Sequence, residues 1–231
     1  MGMSSLFSFA HFLQKRNNCA RLFLGLGAIA LLGVVPVHAQ FGVPPETTVH
    51  DPSILHPPVG ARVAIIEFDD LECPDCAAAN PVLMRAVDKY HIPWIRYDFP
   101  LPYHMWSFQA AVYAHWFDTK SKTLGNDYRN SVFANQQSIY SLARLTQFTQ
   151  TFAQQHGIAL PFNIDPQGKL ADEVRADRAL GNRIGIEHTP TIWVVMRGGN
   201  APPYVEVSDV NRLFQTIDLA LAETHSENAR K

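Results

Sequence analysis

The chain has 231 residues, with 19 Lys and Arg against 21 Asp and Glu, a net charge of −2, and 47% hydrophobic residues. That balance excludes the basic footprint of a nucleic-acid binder, and the length suits one ordinary domain with an insertion. Three cysteines are too few for a disulfide-stapled scaffold or a four-thiolate zinc site.

In chain order, Lys15, Arg16 and Arg21 precede an uncharged apolar run from Leu22 to Val35, which ends at Pro36, Val37, His38 and Ala39. A basic start, a short apolar stretch and a small residue at the cut point are the marks of a secretory signal peptide. The run is shorter than the roughly 20 residues a membrane span needs. Residues 1–39 are therefore expected to be a leader cleaved after Ala39, with an uncleaved anchor as the alternative. Cleavage would remove Cys19 and leave Cys73 and Cys76 as the only cysteines, an economy that suits an oxidising compartment. Residues 40–60, with Gly42, Pro44, Pro45, Pro57, Pro58 and Gly60, read as an extended lead-in to the domain proper, residues 61–231. His50 and His56 fall in it as surface loop residues.

Val63 to Phe68 is a short β-branched apolar run and predicts a buried strand. After it come Asp69, Asp70, Leu71, Glu72 and then Cys73, Pro74, Asp75, Cys76. The alanines at 77–79 favour helix, and Val82, Leu83, Val87 and Tyr90 recur at helical spacing. Pro74 suits the first helical turn, which puts Cys73 at the N-cap. There it faces free backbone N–H groups and the positive end of the helix dipole, which favour a thiolate, the attacking species in exchange. Cys76, one turn on, is placed to resolve a mixed disulfide. A strand, a C-x-x-C pair and a helix in that order read as a redox site. The same pair as half of a zinc site would need further ligands, such as histidines.

Ile92 to Phe99 predicts a second strand with Pro93 near its start, and two strands joined by a helix imply a parallel βαβ unit. Residues 104–184 show no strand pattern. Trp106, Ala110, Tyr113, Ala114 and Phe117 fit one helix, with Gly125 and Asn126 separating it from its successor. Leu142, Leu145, Phe148 and Phe152 fit another, ended by Gly157. A further helix opens at Asp165 and Pro166 and runs to about Ile184. His104, Tyr113 and Trp116 are candidates for a groove border, although aromatics at this spacing are more often core. Thr191–Met196 and Tyr204–Val207 predict a hairpin about the Gly198, Gly199, Asn200 turn. An amphipathic helix from Asp209 to about Ala222 closes the domain, with Val210, Phe214, Ile217 and Leu221 on one face and a polar, frayed tail after Glu223.

Together the segment around Cys73–Cys76, Pro81 five residues after Cys76, Glu67 six residues before Cys73, and His188, Thr189, Pro190, Thr191 before an apolar strand resemble the DsbA-like thiol:disulfide oxidoreductases of the thioredoxin superfamily. The resemblance covers roughly residues 60–225. It implies an α/β thioredoxin fold, βαβ and ββα halves sharing a mixed sheet, with a helical subdomain inserted at about 104–184. It further implies a redox-active Cys73–Cys76 disulfide, a cis bond before Pro190, Thr189 and Pro190 as a backbone platform for substrate, and Glu67 as a buried carboxylate that trades a proton with Cys76. No cofactor beyond the cysteine pair and no metal is implied. The expected partners are exported cysteine-containing proteins and a membrane-bound protein that recycles the site.

Two departures bear on redox strength. Asp75 stands where DsbA has histidine, and Asp69, Asp70 and Glu72 stand where DsbA is mostly aromatic. Pro74 and Asp75 are therefore expected to tune the Cys73 pKa, with Asp75 raising it and weakening the oxidant. Thr189 before the proline resembles the isomerases, but no segment reads as their N-terminal dimerisation domain, so a monomer is expected. The expected protein is an exported, periplasmic or otherwise extracytoplasmic oxidoreductase whose direction of electron flow stays open. An envelope thiol-based metal-binding or metal-delivery protein is the alternative.

Overall fold

The structure is a computed structural model that describes residues 46–198 and 202–228, the last four for backbone only. The leader expected at 1–39 and Cys19 lie outside the described residues. Among those described, no helix is long and apolar enough to cross a membrane.

Two adjacent strands, buried on both faces, organise the molecule. Val63–Asp69 (β1) and Thr191–Met196 (β3) pair antiparallel in the middle of a four-stranded sheet. Trp94–Asp98 (β2) lies parallel to β1 on one side, and Tyr204–Glu206 (β4) lies antiparallel to β3 on the other. Between β1 and β2 runs the helix Pro74–Tyr90 (α1), as a parallel connection requires. Alternation along β1 divides the core. Val63 and Ile65 pack with Leu83 of α1 and with Leu213 and Ile217 of the last helix, Leu213–Asn228 (α6). Ala64, Ile66 and Phe68 pack the other way, with Phe99, Ile184 and Trp193. Each such side chain, fully buried, stabilises by roughly 1.5–3 kcal/mol.

Four helices occupy the interval between β2 and β3: Ser107–Asp118 (α2), Lys122–Asn135 (α3), Leu142–Gln155 (α4) and Lys169–Ile184 (α5). Their aromatic core holds Trp106, Tyr113, Trp116, Phe117, Tyr128 and Phe152, and it extends to Leu71, Cys73 and Cys76. Tyr113 and Trp116 are thus core residues rather than groove residues.

Several boundaries differ from the sequence reading. Gly125 and Asn126 lie inside α3, not between helices. Gly125 is tolerated there because α3 starts against the end of α2, where any Cβ would run into the Asp118 carboxylate. The helix expected from Asp165 begins at Lys169, after a turn ending in Gly168 at φ +72°. Asp165 acts on it from outside, its Oδ2 accepting from the Ala171 N–H at 2.9 Å. The last helix opens with a 3-10 turn at Val210–Arg212, and its backbone continues to Asn228, past the fraying point expected at Glu223. The lead-in is more than a spacer. Thr47 donates to the Glu206 carboxylate, the His50 N–H donates to the Ile184 carbonyl, and Leu55 is buried beside Phe68 and Trp193.

Candidate functional site

Cys73 stands at the N-cap of α1 with extended backbone (φ −77°, ψ 122°), and Pro74 fills the first helical position. Its side chain makes no capping bond, so the thiol is left to face the helix start. Both cysteines are in the free form. Cys73 is 6% exposed and Cys76 0%, an asymmetry that leaves Cys73 as the sulfur a substrate can reach. It is more enclosed than an N-cap position alone suggests, because Leu71, Trp106 and the loop at Thr189 close around it.

The two sulfurs differ more in acidity than in exposure. Cys73 is held at about 6, first because the Cys76 thiol donates to it. Burial works against this, and the Thr189 hydroxyl and the backbone N–H groups of Cys76 and Asp75 add to it. Thr189 acts twice. Its carbonyl accepts from the Cys73 thiol at 3.3 Å, which favours the proton. Its side chain favours the thiolate, while its hydroxyl, buried, makes no hydrogen bond in the structure. Cys76 is pushed well above the ordinary thiol range by burial, then by Cys73 and by the charges of Asp69 and Glu67. One sulfur is thus a thiolate at neutral pH and the other keeps its proton.

Thr189–Pro190 is a cis peptide bond at the entry to β3. Its loop lies beside the helix start, and a cleft of about 580 Å³ is lined by Asp75, Ala78, His188, Thr189, Pro190 and Ile192 among others. A second cleft, about 980 Å³, is lined by Glu72, Pro74, Ala77, Met105, Trp106 and Phe133 among others, so residues on both chain sides of Cys73 border a cleft.

Glu67 is fully buried on the α1 side of β1, where Trp94 Nε1 donates to its Oε2 at 3.0 Å. Burial, and then the neighbouring Asp69 charge, pushes it up to about 8, so it holds its proton at neutral pH. Asp75 is exposed on the first turn of α1, and what it contributes to the lowering at Cys73 is its backbone N–H.

The acids before Cys73 have work that the sequence reading missed. Asp69 receives two bonds from Arg96, at 2.7 and 3.0 Å. Asp70 accepts from the backbone N–H groups of Glu72 and Leu101, at 2.7 and 2.6 Å, and lies 2.7 Å from His104 Nδ1. Glu72 accepts from the backbone N–H groups of Trp106 and Ser107, at 2.7 and 3.0 Å, and so satisfies the first turn of α2 from outside the helix. Gln136 closes the arrangement: its Nε2 donates to the carbonyls of Leu71 and Cys73, both at 3.0 Å. The negative charge expected to bear on Cys73 is largely engaged by Arg96 and by backbone amides. Gln136 carries no signal in the sequence; Asp70 and Glu72 stood in plain view but read as bulk charge.

A second polar cluster joins β2, α2 and α5. His115 Nε2 lies 3.1 Å from Asp98 Oδ2 and 3.8 Å from Asp177 Oδ2, and Nδ1 lies 2.8 Å from Glu173. Asp98, His115 and Asp177 have the residue types and closeness of a metal ligand set. However, the Asp98 oxygen nearest the histidine is already bonded by the Arg129 guanidinium at 2.7 Å, a cation where a metal would stand. The cluster is an ion-pair junction between the sheet and the helices.

Comparison with known proteins agrees with this geometry. The family model described as Thioredoxin matches residues 59–202. Wolbachia pipientis alpha-DsbA1 superposes with a TM-score of 0.61 at 20% identity, covering 74% of this chain and 92% of that one. Alpha-DsbA2 of the same organism gives 0.56 at 18%, covering 71% and 84%. A periplasmic thioredoxin-like protein from Salmonella enterica serovar Typhimurium gives 0.52 at 19%, covering 70% and 83%. No curated protein matches the sequence.

Proposed function

Because the chain belongs to the thioredoxin family, we propose that it is a thiol:disulfide oxidoreductase working through Cys73 and Cys76 on cysteine-containing exported proteins. The observation that carries this reading is the asymmetry of the pair: a reachable sulfur held at about 6 beside a fully buried one kept protonated.

In the oxidising direction, a substrate thiolate attacks Cys73 of the Cys73–Cys76 disulfide. Cys76 leaves, takes up a proton, and a mixed disulfide remains; a second substrate thiolate then releases Cys73 as a thiolate, which is the better leaving group because of its low pKa. In the reducing direction the Cys73 thiolate attacks a substrate disulfide and Cys76 resolves the product. The clefts bordered by the neighbours of Cys73 suit an extended polypeptide, and the Thr189–Pro190 loop offers backbone groups for strand-like pairing. Glu67, buried below the pair, is the group that holds a proton for Cys76.

Export is supported by the leader read over residues 1–39, and the Salmonella relative is described as periplasmic. In that compartment a membrane-bound redox partner would return the site to its working state.

The test is exchange with a peptide disulfide. Cys73→Ser should abolish it, Cys76→Ser should accumulate mixed disulfides, and alkylation at mildly acidic pH should mark Cys73 before Cys76. Preferential labelling of Cys76 would overturn the assignment. Equilibrium with glutathione then gives the potential and with it the direction.

A further inference from the structure

The cleft lined by Thr189 and Pro190 takes negative charge from three separate elements. Asp75 borders it from the first turn of α1, Glu206 from β4 and Asp209 from the start of the 3-10 turn before α6. Among the described residues no Lys or Arg lines it, and His188 is the only other titratable side chain there. Neutral donors hold two of the three acids in place. The Thr47 N–H and hydroxyl donate to Glu206 at 2.8 and 3.1 Å. The Asn211 N–H and side-chain amide donate to Asp209 at 3.0 and 2.9 Å. Such bonds fix a carboxylate without cancelling its charge. The larger cleft differs, because Glu72 is its one charged lining residue and its Oε2 is taken by the Trp106 and Ser107 amides.

We propose that the cleft beside Pro190 selects substrate segments with a basic residue two places from the cysteine, and that Asp75, Glu206 and Asp209 set this preference. It deepens the oxidoreductase reading and rests on it. A segment whose cysteine meets Cys73 and whose backbone pairs at Thr189–Pro190 runs along this cleft. In an extended strand, side chains two apart face the same way and stand about 7 Å from each other. The residue two places from the cysteine therefore faces the protein with it, while the immediate neighbours face out. Charge gives the sign of the preference. The attacking species is a substrate thiolate: its sulfur bonds to the Cys73 sulfur, the Cys73–Cys76 bond breaks, and Cys76 leaves with the electron pair and takes up the proton held by Glu67. That anion approaches a wall of carboxylates. A lysine or arginine facing the same wall offsets the repulsion, and a glutamate there adds to it.

The test is the second-order rate at which cysteine peptides reduce the oxidised protein, in which Cys73 carries no charge. Three peptides differ only at the positions two places either side of the cysteine, which hold lysine, glutamine or glutamate. Each rate is divided by the same peptide's rate with hydroxyethyl disulfide, a neutral compound, which removes the effect of the flanks on the thiol itself. The lysine peptide should outrun the glutamate peptide on the order of 10-fold at about 10 mM salt, where the Debye length is about 30 Å. At about 1 M salt, where that length is about 3 Å, the ratio should shrink to within about 2-fold. The triple substitution Asp75→Asn, Glu206→Gln and Asp209→Asn keeps the oxygens that Thr47 and Asn211 use, and should shrink the low-salt ratio equally. Should it fail to fold, Asp75→Asn alone, at an exposed position, should cut the ratio about 2- to 3-fold. A fourth peptide, with lysine next to the cysteine, should gain less than the first; an equal or larger gain overturns the two-place register. A wild-type ratio near one, or a ratio that neither salt nor the substitutions move, overturns the charge preference. Where the glutamine peptide still exchanges, that failure leaves the oxidoreductase reading standing, whereas no exchange with any peptide overturns both.

Discussion

Thr189→Val removes one hydroxyl and almost nothing else, because valine matches threonine in shape. The lost group is buried, makes no hydrogen bond in the structure, and favours the Cys73 thiolate. A hydrogen bond to a charged group, formed by this hydroxyl when Cys73 ionises, is worth about 1.5–3 kcal/mol, and 1.36 kcal/mol is one pKa unit, so Cys73 should rise by roughly 1–2 units from its value of about 6. At pH 7 the thiolate fraction of the reduced protein then falls from about nine-tenths to between one-tenth and one-half. That loss lowers the reduction potential by roughly 20–30 mV for a two-electron couple. Stability should move the other way, or not at all, since the variant also removes a buried hydroxyl that goes unsatisfied whenever Cys73 is protonated or oxidised. Thiolate absorbance against pH, glutathione equilibrium and thermal melting of the oxidised form give the three quantities on one sample. A Cys73 pKa unmoved in Thr189→Val would show that the hydroxyl does not serve the sulfur.

Other outcomes follow from contacts away from the sulfurs. Glu72→Ala strips the acceptor from the Trp106 and Ser107 amides and should cost about 1–2 kcal/mol in urea unfolding, as loss of a helix cap does; an unchanged midpoint would mean that water replaces the carboxylate without loss. Gly181→Ala drives a methyl to 2.6 Å from the Phe99 ring, where α5 crosses the sheet, and should destabilise by about 1–3 kcal/mol; a neutral result would show that Phe99 can step aside. His115 is raised above its ordinary value by Asp98 against the opposing effect of burial, and Asp177 is raised to about 6 by burial and by Asp98. A group raised on folding contributes stability that is present below its unfolded pKa and lost as pH rises through the folded one. The stability gap between the wild type and His115→Asn should therefore be widest near pH 5–6 and narrow above pH 7; a gap constant from pH 5 to 8 would remove the protonated histidine from the account.

Much of this was legible in the sequence because it is written in local patterns. The β-branched run at Val63, the proline at the first helical position and the spacing of Leu83 and Tyr90 located β1 and α1 to within a residue. The helices between β2 and β3 were legible for the same reason, but Gly125 was misplaced. A glycine that ends a helix and one that lets two helices touch look alike until the partner, Asp118, is known. The hairpin and last helix were found, yet the helix outran its apolar stripe, since backbone continuation needs no apolar residue. The acids at 69, 70 and 72 were the least legible. Their charge is apparent at once, but its effect depends on Arg96, on the amides at 101, 106 and 107, and on His104, all distant in the chain. Gln136 had no local pattern to betray it.

The bonds that Glu72 and Gln136 make have a kinetic side. The amide hydrogens of Trp106 and Ser107 are covered by a carboxylate that belongs to the segment leading into Cys73, and the carbonyls of Leu71 and Cys73 are covered by an amide that follows α3. A solvent deuteron reaches those two amides only when Glu72 lets go, that is, when the segment bearing the reactive sulfur lifts from α2. Their exchange times are therefore a clock for openings of the redox loop, readable in the intact chain without touching either cysteine.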